Sequence, residues 1–257
     1  MSDGKLYAAR YFDHLSPTWF QWNKLTAHDL LHHVHSVPDF AGRDVWFWLN
    51  HPLQFFQIMG LVVQIDSVAD GRYTFLTIDD GSGVNMEAKI ERRPAWRDEE
   101  PEWKENSQVE DVDVFVNLGL PVVLLHGKQV EVGEVMLVKG TLTTFRHEKQ
   151  LVVKRMRRMK DTNEEVVWWG RMADWKRTVL STPWVITEAE KASVDQRLKR
   201  EGHESNKVVK RDSRRAERRR EWEERHSAKE EIKRSLQEEK MNRHALEGSH
   251  ILHIPWD

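Results

Sequence analysis

The run 55–90, FFQIMGLVVQIDSVADGRYTFLTIDDGSGVNMEAKI, constrains the fold more than any other part of the chain. Two apolar runs are joined by the turn signal Ala69-Asp70-Gly71, and a second turn at Asp79-Asp80-Gly81-Ser82-Gly83 leads into a third run that alternates strictly. Period two puts Val84, Met86, Ala88 and Ile90 on one face and Asn85, Glu87, Lys89 and Glu91 on the other. The first run, 55–65, is apolar at nearly every position. That predicts a strand buried on both faces, one face lining a core and the other lying under a helix or a partner. Three such strands in succession open a small, strongly coiled barrel of the OB type, an architecture used to bind oligonucleotides.

Later segments complete this architecture. Residues 122–125, 134–146 and 150–159 return to strand patterning after the irregular, acidic and Pro-containing stretch 92–110, in which Trp96 and Trp103 stand. A turn is expected at His147-Glu148-Lys149. From Thr162 the period changes to about three and a half, with Trp168, Met172, Trp175 and Val179 at helical spacing and Pro183 ending the run. Beyond residue 188, mixed-sign text such as KRDSRRAERRREWEER dominates, with Trp222, Ile232, Leu236 and Met241 as scattered apolar anchors. It predicts a solvated single helix or a disordered tail. The expected fold is mainly β: an aromatic-rich N-terminal extension (1–52) packing on a five-stranded OB-fold barrel (53–161), a C-terminal α-helix (162–187) and a charged tail (188–257). Within the extension, Thr26 is the expected N-cap of a short helix, AHDLLHHVH, with Asp29 at capping-box distance.

Charge and cysteine usage narrow the class. The formal charge of −2 provides no global attraction for nucleic acid, so a binding surface must be a local concentration of Lys and Arg. Absence of cysteine excludes disulfides and thiolate metal sites and suits a cytosolic or nuclear chain. MSDGKLYAAR lacks a signal-peptide core and no apolar stretch is long enough to cross a membrane, so a soluble intracellular protein is expected.

Two candidate sites follow from the residues. The stripe Trp168, Met172, Trp175 and Val179, with Val167 beside it, exposes too much apolar area to stand in water and must be covered, by a partner or by the chain's own barrel. On the 134–146 strand, alternation places Lys139, Thr141, Thr143 and Phe145 on one side. With Lys89, Arg146, Lys154 and Arg155 near, Phe145 becomes a stacking platform with a cationic rim for a single strand; the alternative is that Phe145 packs on the insertion 92–120. Other patterns read as structural. Arg214 to Arg220 is flanked by Glu at pairing distance, which favours a solvated helix over a phosphate contact. His28, His32 and His35 share a helix face without an evident supporting carboxylate, Asp79 and Asp80 suit turn building, and Gly81-Ser82-Gly83 lacks the Lys of a phosphate loop, so no metal, cofactor or catalytic site is expected.

Three segments in order, FDHLSPTWFQWNKLTAHDL (12–30), WLNHPLQFFQIMGLVVQID (48–66) and RYTFLTIDDGSG (72–83), resemble the fungal Stn subunit of the CST telomere-capping complex and, more distantly, the middle subunit of replication protein A. The resemblance runs over about 7–186. It implies a non-enzymatic OB-fold protein of the nucleus and telomere that pairs with a small OB-fold Ten subunit through barrel and helix and, as a pair, caps single-stranded telomeric DNA. It also implies restraint of telomerase, a larger CST subunit as a further partner, and support of fill-in synthesis by DNA polymerase alpha and primase. Family members often carry winged helices after the barrel; the charged tail stands in that place here. At the strand-four positions where some members use Arg and Tyr, this chain has Thr143 and Phe145, and a third-strand stacking Trp is replaced near Lys89 or Ile90, which implies weak intrinsic DNA affinity. The other class of function compatible with the sequence is a structural adaptor with little DNA affinity.

Overall fold

The computed structural model describes residues 4–68, 71–93 and 106–249. Trp96, Trp103, part of the Ala69-Asp70-Gly71 turn and the apolar end 250–257 lie outside the described residues. In chain order the elements are α1 (Phe12–Leu15), β1 (Trp22–Lys24), α2 (Ala27–His32), β2 (Trp46–Trp48), β3 (His51–Leu53), β4 (Phe55–Val68), β5 (Tyr73–Asp79) and β6 (Asn85–Glu91). They continue with β7 (Val112–Asn117), β8 (Leu120–Leu125), β9 (Lys128–Gln129), β10 (Val135–Phe145), β11 (Glu148–Arg158), α3 (Thr162–Trp175) and α4 (Glu188–Ser249).

The main sheet grows from the apolar and alternating runs. β4 pairs with β10, β10 with β11, β11 with β6, β6 with β5, and β5 again with β4, so the pairings return to the strand they started from. Phe56, Ile58, Val62, Leu76, Ile78, Met86, Ala88 and Ile90 are fully buried, as the alternation of β6 requires. β4 is buried on both faces only over Phe56 to Gly60; from Leu61 onward it alternates, because the helix above it covers only its first half. Gly60 sits where an added Cβ would run into the Asp79 backbone, so the closing β4–β5 pair needs a glycine there.

Three features differ from the sequence reading. Residues 120–125 do not enter the main sheet: β7, β8 and β9 form a separate three-stranded sheet inside the β6–β10 connection. Its anchor is Arg158, which bonds Glu134 through Nε and the carbonyls of Leu125, Lys128 and Gln129 through its other nitrogens. Trp22-Asn23-Lys24 forms a strand, β1, parallel to the start of β4. The β10–β11 turn is Arg146-His147 rather than 147–149; both residues have positive φ (48° and 72°), the conformation a two-residue hairpin loop demands.

The N-terminal extension is held at both ends of α2. Thr26 and Asp29 form the expected capping box, the Asp80 carboxylate accepts from the Ala27 N–H at 2.7 Å, and Ser82 Oγ accepts from the His28 N–H. At the other end the Lys149 ammonium donates to the carbonyls of Leu30, Leu31 and Val34. The DDGSG turn is therefore a helix cap, with Asp79 and Asp80 also accepting from Gly81 and Ser82 N–H. The β2–β3 hairpin then binds the segment after α3: Trp48 Nε1 donates to Leu180 O, and Asn50 exchanges two hydrogen bonds of 2.7 Å with Trp184.

The chain divides into two compact units, 1–191 and 192–257. The second is a helix whose Trp222, Ile232, Leu236 and Met241 are all more than half exposed. Pairs such as Arg219–Glu223 (2.9 Å) and Arg197–Glu201 (3.3 Å) support it at about 0.3–0.5 kcal/mol each. Among the described residues no helix is long and apolar enough to cross a membrane.

Candidate functional site

Three surfaces carry the predicted site residues, and the structure sorts them differently from the sequence. On α3, Asp161 caps the first turn by accepting from the Glu164 N–H, and the apolar stripe follows at helical spacing. Trp168 is only 5% exposed and packs with Met59 and Leu137, joined by Met172, Val135 and Met159. Trp175 and Val179 pack on the main core, the latter in a π-helical turn, Lys176–Leu180. The stripe offered to a partner is thus covered by the chain's own sheet, following the rule that an amphipathic helix buries its apolar side on its own core. What remains outside is Val166 (55% exposed), Val167 (49%) and Trp169 (45%). Beneath Trp169 lies a cleft of about 210 Å³ lined by Met59, Leu61, Val135 and Glu165, with Asp79 and Asp80 of the capping turn at its rim. Trp169 and Val166 were legible as apolar helix residues; their exposure was not, since it depends on which turn of the helix meets the sheet.

The second surface surrounds Phe145. This ring is 56% exposed, carries the Arg146 guanidinium 5.2 Å from its centroid, and lines a groove of about 430 Å³ with Phe75, Thr77, Glu87, Glu148 and Asp66. Thr143 stands two residues back on β10, opposite Gln150, whose amide donates to Glu87 at 2.6 Å. Lys89 stands opposite Phe75, 5.0 Å from the Tyr73 ring centroid, and is ion-paired with Glu91 at 2.7 Å. The expected cationic rim is therefore half carboxylate. Ile90, the other candidate for the stacking position, points into the core.

Lys139 and Lys154 do not belong to that groove. Six residues of strand separate Lys139 from Phe145, about 20 Å. Lys154 is the residue skipped at the β10–β11 bulge and has no partner in the strand register. Lys139 instead lies 5.5 Å from the Trp22 ring centroid. Burial first, then Arg157, Arg155 and Lys24, hold its ammonium below the usual lysine range.

The histidines also regroup. α2 stops at His32, so His35 leaves the helix face, while His28, Asp29 and His33 bring their ligand atoms within 4.8 Å of one another. Asp29 is committed elsewhere: its oxygens accept from Lys176 at 2.7 and 2.9 Å and from the Thr26 N–H. Burial pushes its carboxyl up, but the Lys176 bond and the Thr26 bonds outweigh burial and leave it below its ordinary value. A cation there would face the Lys176 ammonium.

A mainly β chain whose sheet pairs around a closed cycle and carries a packed C-terminal helix has OB-fold-like structural relatives. The crystal structure of yeast Stn1 and Ten1 matches 74% of this chain and 90% of the compared chain at 16% identity with a TM-score of 0.51, a likeness of fold. The Stn1-ten1 complex of S. pombe matches 63% of the chain and 95% of the compared chain at 19% identity and a TM-score of 0.43. Residues 22–95 match the family model described as telomere regulation protein Stn1. Protein stn1 of Schizosaccharomyces pombe is 24% identical over 166 residues, 65% of this chain. The chain spans 42% of that relative's length. The similarity to the Stn1 telomere-regulation family thus holds in both sequence comparisons.

Proposed function

We propose that this chain is a non-enzymatic, five-stranded OB-barrel subunit of a telomere-capping complex, nuclear and chromosomal, that binds a small OB-fold subunit of the Ten type through the outer side of α3. The observation that carries the reading is the apolar face Val166, Val167 and Trp169, exposed beside the cleft over Met59 and Leu61 after the inner side of the helix has been used up. An exposed cluster of this kind, with Trp at its centre, has the chemistry of a heterodimer anchor. Of the residues predicted for the partner, Val167 stays at this face, while Trp168, Met172, Trp175 and Val179 set the helix on the barrel. Similarity to Stn1 chains solved with Ten1 supports the choice of partner.

As a pair the two subunits hold single-stranded telomeric DNA, and the groove at Phe145, Arg146, Thr143 and Lys89 contributes stacking. Glu87, Glu148 and Asp66 around it keep affinity of this subunit alone low. Protection is by occlusion of the strand from nucleases and telomerase, and the larger CST subunit and DNA polymerase alpha with primase act on the same assembly. The test is co-expression of the full chain with the Ten-type subunit of the same organism. Co-elution at one-to-one stoichiometry is expected, and its loss on Trp169→Glu. Separate elution of the unmodified chains would sink the reading.

A further inference from the structure

Away from the groove at Phe145, a row of cations crosses four strands at one register. Lys24 on β1 stands opposite Gln57 on β4, Gln57 opposite Lys139 on β10, and Lys139 opposite Arg155 on β11. Neighbouring strands lie about 4.8 Å apart, so the row is on the order of 14 Å long. Arg157, two residues along β11, and Arg171 on α3 widen it. Arg171 acts on Lys24, and Arg157, Arg155 and Lys24 act on Lys139; with burial as the larger cause, both ammoniums are held below their ordinary pKa.

Like charges gathered this closely destabilise one another unless something neutralises them. Glu110 pairs with Arg155 at 3.1 Å and Glu164 with Arg157 at 2.7 Å. Among the described residues, no ion pair reaches Lys24, Lys139 or Arg171. Those three charges are left for a ligand. Aromatic rings flank them: Trp22 and Phe55 are half-buried with centroids 5.1 Å apart, Lys139 Nζ stands 5.5 Å from the Trp22 ring, and Lys24 Nζ 5.2 Å from the Trp175 ring.

We propose that the row Lys24, Lys139 and Arg171, with Arg155 and Arg157, is a phosphate-binding track for single-stranded nucleic acid, distinct from the groove at Phe145. At a stacked rise of about 3.4 Å per nucleotide, the row accommodates roughly four phosphates. The Trp22–Phe55 pair gives a base a surface to stack on, which an acidic peptide would not use. The inference rests on the single-strand part of the proposed function and is independent of the partner on α3.

The test is a salt titration of the full chain with single-stranded oligothymidylate, followed by fluorescence anisotropy. Each lost phosphate contact on a single strand lowers the slope of log K against log salt by about 0.7. Lys24→Gln with Lys139→Gln and Arg171→Gln is expected to lower it by about 2. Between 50 and 200 mM salt the parent chain should then lose on the order of twentyfold more affinity than the triple variant. Arg171→Gln alone, on an exposed helix position, should lower the slope by about 0.7 with the melting curve unchanged, which guards against a folding artefact. An unchanged slope in both variants overturns the track. Displacement of the oligonucleotide by polyglutamate at equal charge concentration also overturns it, in favour of an acidic peptide. Loss of binding on Phe145→Ala with the slope kept in the row variants would leave the groove as the DNA site and reject the row.

Discussion

Adjacent tryptophans on α3 meet opposite surroundings. Trp168 is 5% exposed against Met59 and Leu137, while Trp169, the next residue, is 45% exposed over the cleft. A step of one residue turns the helix by about 100°, enough to move a side chain from the sheet to the rim. The inner side has a complete partner in the chain itself, and the outer side does not. The lesson is that a tryptophan-rich helix in an OB-like chain needs two coverings, and that only the second is open to regulation by assembly.

The largest expected effect belongs to the inner side. Trp168→Ala should lower the unfolding free energy of the isolated chain by about 3–5 kcal/mol in urea, because it empties a packed site between α3, β4 and β10. Trp169→Ala should cost less than about 1 kcal/mol in the same experiment. Equal losses would erase the distinction between the two sides. In the heterodimer the order should invert: Trp169→Glu with Val166→Glu is expected to weaken the complex by at least roughly thirtyfold, the measure of a central anchor of about 2 kcal/mol, by isothermal titration.

The seat of α3 can be loosened from the other end. Lys176→Met leaves the Asp29 carboxylate, 6% exposed at its side chain, without its cation and should cost about 2 kcal/mol; the partly exposed Lys176 keeps this below the loss for a fully buried pair. Asp29 has a depressed folded pKa, so its contribution is complete above the unfolded carboxylate value and is lost as pH falls through the folded one. In Lys176→Met that acid limb should flatten. His51 behaves with a different pH window. Burial lowers its pKa against the Thr182 carbonyl bond, which favours protonation, so its neutral form stabilises the fold fully above about pH 6.5 and the contribution declines as pH falls toward the lowered folded value. His51→Gln should remove this decline in a pH series of thermal melts.

The smallest effect sharpens a second contrast, between the groove and the row of cations. Arg146 and His147 both adopt positive φ, which costs non-glycine residues about 1 kcal/mol or more each. Arg146→Asn with His147→Gly should raise stability by about 1 kcal/mol while reducing oligonucleotide affinity a few-fold, because Arg146 leaves the Phe145 ring. Unchanged affinity would remove Arg146 from the groove's function.

Much of the fold could be read from period and turn chemistry. The alternation of β6, the capping box at Thr26 and Asp29, and the start of α3 after Asp161 are local signals, and the structure follows them. The elements that escaped the sequence depend on distant partners. β1 is three residues long and is a strand only because the β4 backbone lies beside it. Residues 120–125 have the apolar text of a core strand, yet pair with β7 and β9 because the β6–β10 connection is long enough to build its own sheet. The site was harder to read for the same reason. Alternation placed Lys139 and Phe145 on one side correctly, but a curved strand carries them to different surroundings about 20 Å apart. Lys24, Arg157 and Arg171 share a surface only after β1, β11 and α3 are assembled.

The most direct measurement is light scattering of the full chain co-expressed with the Ten-type subunit, as the parent sequence and as Trp169→Glu and Trp168→Phe. A one-to-one complex for the parent and for Trp168→Phe, and free monomers for Trp169→Glu, is the predicted result. A complex that survives Trp169→Glu, or a parent chain that remains monomeric beside its partner, would contradict the claim that the outer side of α3 is the assembly surface.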